Sequence, residues 1–374
     1  MFMKPWIKVG LCCTAAALAA AQAWSAPTKV YHVSGLSVTL GSPISNGNLA
    51  VFPVRLASRL ASSRQYLTLE EALKKHLIVV QELPEKEVNR VQVTSLSSIP
   101  IYLLAGDIIL GGQQDREVAH DTVVPPYVKN FLVDVFCVEH GRWEGEQRFG
   151  SAEVASTSLR YQTQGAKSQA QVWSKVAADT RAMKAETPTG TYRAVGSGLH
   201  KEVDAYVKPA AARLESDPRA VGLIVAINGK VVAADAFDGH RLFLKELAKV
   251  LKSYALDAAQ QNDAWKKLSR KPQATSADAG SFLAMAASGQ HRTTGQGRAL
   301  LNAEIENPHT YNFMAFPTDA AGKAAPSAVH FNAYSKAGMP ETLQPAPPMQ
   351  QAMPDLPMQN VNPPAQAPQR QSVR

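Results

Sequence analysis

From residue 29 to about residue 135 the chain breaks into short apolar runs separated by turn-forming residues, with one brief helical interruption. Residues 30–40 and 49–54 alternate apolar and polar side chains, and Gly41-Ser42-Pro43 and Asn46-Gly47 supply the turns between them. Strand-like runs follow at 77–81, 88–94, 99–104, 107–110, 118–124 and 131–138, making seven or eight strands in all. The interruption is a short helix capped by Thr68, with Glu70 and Glu71 in its first turn, where carboxylates complement the macrodipole.

A helical period takes over later. In residues 168–184, Val172, Val176, Thr180 and Met183 share a face, and residues 201–207 read as a shorter helix. Two apolar runs, 221–227 and 230–236, then flank Asn228-Gly229, the strongest two-residue hairpin signal in the chain. Residues 241–256 place Leu244, Leu247, Leu251 and Tyr254 on one stripe. Residues 271–296 read as a loop around a short helix at 282–287, and 298–304, 311–316 and 328–333 as closing strands. Strands at both ends with helices between them predict an α+β fold rather than a repeating βαβ sheet. The N-terminal half is mainly antiparallel β, and the C-terminal half holds helices and the hairpin. One domain over 29–336 is expected, with any division into two lobes near 150–168.

The two ends of the chain have a different character. Lys4 and Lys8 precede an uncharged apolar run of about 13 residues, shorter than the ~20 that span a bilayer as a helix. Ala21-Gln22-Ala23 and Ala23-Trp24-Ser25 are candidate cleavage sites, so residues 1–25 are expected to be a signal peptide, with export to a bacterial periplasm or the exterior. Cleavage removes Cys12 and Cys13, leaving Cys137 and no intrachain disulfide. At the other end, residues 340–374 contain nine prolines and seven glutamines, with Met349, Met353 and Met358 among them. Such a segment cannot bury enough apolar area to offset its ordering entropy, and a disordered tail is expected over 337–374.

Charge excludes one class of partner. The 39 Lys and Arg against 31 Asp and Glu give +8, lowered by two on loss of Lys4 and Lys8. The excess is dispersed, with no basic run or stripe interleaved with aromatics, so nucleic acid is not an expected partner.

Two segments place many polar side chains beside buried-looking strands. The first is Gly106-Asp107-Ile108-Ile109-Leu110-Gly111-Gly112-Gln113-Gln114-Asp115-Arg116; the second is Cys137-Val138-Glu139-His140-Gly141-Arg142-Trp143. Paired glycines after a strand permit positive φ, so exposed amides can cradle an anion, and an arginine can clamp it bidentately. The plainer readings are a hairpin turn at Gly111-Gly112, a structural pairing of Arg116 with Asp115 or Asp121, and a packed Trp143 ring beside Arg142. His140 titrates near neutral pH. Cys137 and His140, three apart on a strand, face opposite sides, which favours a buried inert thiol over a nucleophile. If the loop between 118–124 and 131–138 turns back, the two segments meet, with Glu139 as counter-ion to Arg116 and Trp143 covering the pair.

Other chemistries lack their residues. The nine histidines include no pair at helical ligand spacing. There is no CxxC, HxxxH, GxSxG or GxxxxGK[ST]. No metal and no cofactor are expected.

The chain resembles the ARG-and-rhodanese-phosphatase-superfamily-associated protein domain family, a bacterial family without an established activity. The carrying residues are Tyr66-Leu67-Thr68-Leu69-Glu70-Glu71-Ala72, Gly106-Asp107 with Gly112-Gln113-Gln114-Asp115-Arg116, and Cys137-Val138-Glu139-His140-Gly141-Arg142-Trp143. Residues 221–237 and the following helix are similar to the family's later half, and the likeness covers roughly 36–335. Asn is commoner in the family at the position of Asp115. The family's name implies association with ADP-ribosylglycohydrolases and rhodanese-phosphatases, and no catalytic residue transfers with it.

Two functional classes remain. The first expectation is an exported binding or interaction module whose polar loop holds the sheet together or engages an envelope partner. The alternative is a hydrolase or transferase acting on a phosphate- or nucleotide-like anion, with Glu139 as acid/base. In either case Gln113, Gln114, Arg116, His140, Arg142 and Trp143 are the candidate ligand contacts.

Overall fold

The computed structural model describes residues 29–339, apart from 59–61, 84–86, 166–167, 297–298 and 320. The expected signal segment and residues 340–374 of the expected tail lie outside the described residues.

The chain begins with strands β1 (Tyr31–Val33), β2 (Leu36–Leu40), β3 (Ile44–Asn46) and β4 (Leu49–Leu56). β5 (Leu67–Thr68) leads into helix α1 (Leu69–Lys74), where Thr68 and Glu71 form a reciprocal capping box. Eight strands follow: β6 (Ile78–Glu82), β7 (Arg90–Ser95), β8 (Ile101–Leu103), β9 (Asp107–Gly111), β10 (Arg116–Val118), β11 (Thr122–Val124), β12 (Phe131–Cys137) and β13 (Arg148–Val154). Helices α2 (Thr157–Gly165), α3 (Gln169–Ala182), α4 (Arg193–Ser197) and α5 (His200–Glu215) precede the hairpin β14 (Ala220–Ile227) and β15 (Lys230–Phe237). The chain continues through α6 (His240–Lys266), α7 (Ser276–Ala286), β16 (Gln290–Gln296), β17 (Leu300–Glu306), β18 (Thr310–Pro317) and β19 (His330–Ser335). The architecture is α+β with antiparallel pairing dominant, as the alternation predicts.

These strands build three sheets. Six of them, in the order β10-β12-β7-β6-β13-β9, close into a barrel filled by Val80, Val91, Val93, Ile109, Val118, Val133, Val135 and Phe149. A small sheet, β11-β8-β5, lies beside it. The third is a ten-stranded sheet in the order β1-β2-β4-β14-β15-β19-β18-β17-β16, with β3 also paired to β4. Strands from both ends of the chain therefore share one sheet, and the barrel is an excursion between β4 and β14. A division near 150–168 does not separate these bodies, because β4 hydrogen-bonds to β14 along its length. The fully buried AVGLIVAI run of β14 suits this central position.

Helices cover both faces of the large sheet. On one face α5 and α6 bury Val203, Tyr206, Leu214, Leu247, Leu251 and Tyr254 against Leu223, Val225 and Tyr334. On the other, Phe282 and Leu283 of α7 pack on Phe52, Ile224 and Phe331. Met339 also joins the first of these cores, three residues beyond the expected end of the domain.

The hairpin forms as expected, with Asn228 and Gly229 at φ +54° and +76°. Several elements differ from expectation. β13 and α2 carry no strong period, and β16 is a polar strand at the end of the sheet, held by its ladder to β17. α5 runs through Pro209, and α6 continues ten residues past its apolar stripe on helix-favouring Ala, Gln and Lys. α7 starts six residues earlier than expected, at a second capping box between Thr275 and Asp278. Leu244 lies exposed, and Phe243 is buried in its place.

Candidate functional site

The two polar segments do meet. β10 pairs antiparallel with β12, setting Arg116 opposite Cys137 and Val118 opposite Val135. By the period of two, Arg116 and Cys137 point into the barrel, while Glu117 points out towards α2. Gly111 and Gly112 adopt φ +121° and +56°, and a Cβ on Gly112 would lie 2.4 Å from the Phe149 ring. The loop is an anion cradle in form, but the anions are the protein's own. The Gly111 amide donates to Asp115 Oδ1 (3.0 Å), that of Gln113 to Glu82 Oε1 (2.9 Å), and that of Asp115 to Glu139 Oε2 (3.2 Å).

The arginines are equally engaged. Arg116, fully buried, places Nη2 3.2 and 3.3 Å from the two oxygens of Glu82, and its Nη1 donates to Gln114 Oε1 and to Cys137 Sγ. Its counter-ion is thus Glu82, not Glu139, Asp115 or Asp121. Arg116 faces the barrel lumen, where the last residue of β6 faces it, whereas Glu139 lies beyond the end of β12. Glu139 instead pairs with Arg142, whose Nε donates to Oε2 at 2.8 Å. Arg142 also donates to the Gly111 and Gly112 carbonyls and to Asp115 Oδ1, and Arg193 approaches Asp115 from α4 at 3.2 Å. Burial alone would raise the Glu139 carboxyl, but Arg142, the Thr189 hydroxyl and the Asp115 amide hold it below the usual carboxylate range.

The remaining expected residues are less closely joined. Gln113 contributes its backbone, and buried Gln114 donates from Nε2 to the His140 carbonyl. The exposed His140 ring sits edge-on to Trp173, with centroids 4.5 Å apart. Trp143 is 37% exposed, and the Arg116–Glu139 pair it was expected to cover does not form. Burial pushes the Cys137 thiol up to about 11 against the opposing pull of Arg116.

A larger polar centre lies between the barrel and the ten-stranded sheet. Asp235, in the middle of β15, has no exposed surface and accepts from four side chains. These are Arg160 Nη2 (2.8 Å), the Tyr254 hydroxyl (2.5 Å), Asn332 Nδ2 (2.9 Å) and His330 Nε2 (3.0 Å). The other nitrogen of His330 lies 2.7 Å from Asp121, which also accepts from Tyr102 and the Ala105 amide. Burial would lower the His330 pKa, but the flanking Asp121 and Asp235 raise it to about 9. Asp235 is likewise driven well below the ordinary carboxylate value by Arg160 and His330, against burial. Two cations and two anions balance. Arg160 reaches Ala105 O with Nε (3.0 Å), and its side chain runs so close to Gly106 that a Cβ there would lie 2.4 Å from Cγ. A second cluster joins it through Asp107, whose carboxylate lies 2.6 Å from buried Lys249. Lys249 also pairs with Glu246 (2.8 Å) and Glu70 (3.6 Å).

The model of the ARG and Rhodanese-Phosphatase-superfamily-associated Protein domain matches residues 37–330. The chain belongs to that family. No curated protein and no solved structure matches it.

The family span includes the loop pair and most of the second polar centre, Asn332 lying just beyond it. The Gly106-Asp107 motif is accounted for by the second centre, since Gly106 makes room for Arg160 and Asp107 anchors Lys249. Sequence reading missed this centre because its members are scattered over seven elements and turns. One signal was available: Asp235, alone among apolar residues in VVAADAF, demands a buried partner. Among the described residues no group of His, Cys, Asp and Glu is placed to hold a metal ion, and no helix is long and apolar enough to cross a membrane.

Proposed function

We propose that the protein is an exported, non-catalytic binding or interaction module whose loop pair, residues 111–116 and 137–143, is a structural latch. One observation carries this reading: every charged side chain of the latch is engaged by another side chain, within the latch or beside it. An anion clamp needs an uncommitted guanidinium, yet Arg116 is buried on Glu82 and Arg142 is engaged by Glu139 and Asp115. A general acid working near neutral pH needs a raised carboxyl, whereas that of Glu139 is lowered.

Thermal-shift measurements with nucleotides, phosphosugars and cell-wall fragments test the alternative hydrolase or transferase. Nucleotides and phosphosugars are expected to leave Tm unchanged and to be recovered intact. A Tm rise with an anionic compound, lost in Arg142→Met and in Glu139→Gln, would overturn the reading. Export is tested by N-terminal sequencing of the protein from a fractionated bacterial host. A start after Ala23 or Ser25 is expected, and retention of Met1 in the cytoplasmic fraction counts against it.

A further inference from the structure

Strands β6 and β12 run towards the latch, so their first residues, with the last of β7, form the opposite end of the barrel. Three segments meet there. Ile78 pairs with Ser95, and one step further the Leu96 amide donates to the Leu77 carbonyl (2.9 Å). The Ser95 amide donates to Val128 O (2.8 Å) and the Tyr127 amide to Ser97 O (3.2 Å), which brings in the turn before β12. Tyr127 and Leu96, 66% and 52% exposed, stand furthest into solvent among the large apolar side chains of the described residues. Tyr127 holds φ at +53°, a left-handed conformation that a bulky residue rarely adopts, and this end keeps it without burying the ring.

The same end is basic. Lys74, Lys75 and His76 lead into Leu77, and Lys129 follows Tyr127 by two residues; all four are exposed. Segments 72–78, 95–101 and 125–133 contain no Asp or Glu. The nearest acids along the chain are occupied elsewhere. Glu71 contacts Lys245 and feels Lys75 only from beyond contact distance, Glu70 faces Lys249, and Asp134 lies further up β12, opposite Arg90.

We propose that this end of the barrel docks on an anionic phospholipid surface, with Leu96 and Tyr127 entering the headgroup layer and Lys74, Lys75 and Lys129 contacting its phosphates. An aromatic ring with a polar tip suits that interface, and each lysine close to a negative leaflet adds to the attraction. Size favours a membrane over a protein partner. Three turns fall short of the roughly 800 Å² per side of a standard protein interface, whereas an interfacial anchor needs only a few apolar side chains among cations. The surface shares no residue with the latch, so either reading can fail alone.

The test is co-sedimentation of the full chain with vesicles of phosphatidylglycerol and phosphatidylethanolamine in equal parts, and with vesicles of phosphatidylcholine alone. Binding to the anionic vesicles is expected to be at least about tenfold stronger, and to be largely lost between about 0.1 M and 1 M NaCl. Lys75→Gln and Lys129→Gln should each weaken it roughly fivefold. Leu96→Ser, and Tyr127→Asn, which tolerates the left-handed backbone, should each weaken it by roughly tenfold. Lys201→Gln, at an exposed lysine of α5, should bind like the parent. Absence of binding to the anionic vesicles, equal binding to phosphatidylcholine, or indifference to all four variants at the barrel end overturns the proposal. Tighter binding of poly-L-glutamate than of vesicles, lost in the same variants, would reassign the surface to an acidic protein and overturn it equally.

Discussion

Asp235 and Arg160 illustrate how a charge survives full burial. Each is removed from water, and each is held by several partners at hydrogen-bond distance. Breaking such a set on one side is expected to be costlier than dissolving it. Arg160→Met should destabilise by about 3–5 kcal/mol in urea unfolding, as should Asp235→Asn, while the double variant should recover part of the loss. Strict additivity would show that the contact carries no energy. The same logic relocates the coupling in the latch. Arg116→Met and Glu82→Gln should couple by about 0.5–3 kcal/mol in a double-mutant cycle, and Arg116→Met with Glu139→Gln should couple more weakly. Stronger coupling of Arg116 to Glu139 than to Glu82 would contradict the pairing described above.

At the scale of the element, legibility followed periodicity. The hairpin around Asn228-Gly229 and the α1 cap at Thr68 were readable, because turn chemistry is a local signal. The expected hairpin of 118–124 with 131–138 splits instead: β10 pairs with β12 inside the barrel, while β11 leaves to pair with β8 in the small sheet. β16 was not readable, since an edge strand of Gln, Thr and Arg owes its conformation to the ladder it joins. Nor was the partner of Arg116, because Glu82 lies 34 residues earlier and only barrel closure brings β6 round to β10. The start of α7 does carry a local signal, as Thr275-Ser276-Ala277-Asp278 is a capping-box pattern. Thr275→Ala should therefore cost about 1 kcal/mol in unfolding free energy, and Thr275→Ser much less. An unchanged midpoint for Thr275→Ala would mean that the helix end contributes nothing to global stability. Gly106→Ala tests a different contact: the added methyl meets Arg160, so a loss of several degrees in Tm is expected, and native stability would refute the close approach.

For the molecule as a whole, the buried charges set a pH profile. Burial raises Glu246 from 4.5 to about 7 and Glu117 from 4.5 to about 8, against Lys249 and against Thr163 and Arg160 respectively. His330 rises from 6.5 to about 9 through its two aspartates, against burial. In all three the folded state holds its proton where the unfolded chain has released it, so stability contributed below the unfolded value is lost as pH rises through the folded one. Asp121 and Asp235, held low, act oppositely and lose their contribution only under strong acid. Stability should thus be greatest near pH 4.5–5 and fall by a few kcal/mol towards pH 9. A Tm that climbs from pH 5 to pH 9 would contradict the protonated His330.

The shared sheet also has a consequence for the order in which the chain can fold. The barrel strands all lie between Ile78 and Val154, so that lobe can close on short loops once its own residues are made. The ten-stranded sheet cannot: β4 awaits β14, and β15 awaits β19, near the end of the described chain. A polypeptide emerging from the ribosome would therefore hold β1–β4 unpaired on one side until most of the sequence had followed. Fragments ending before His330 should present an open strand edge and accumulate as aggregates or chaperone-bound species.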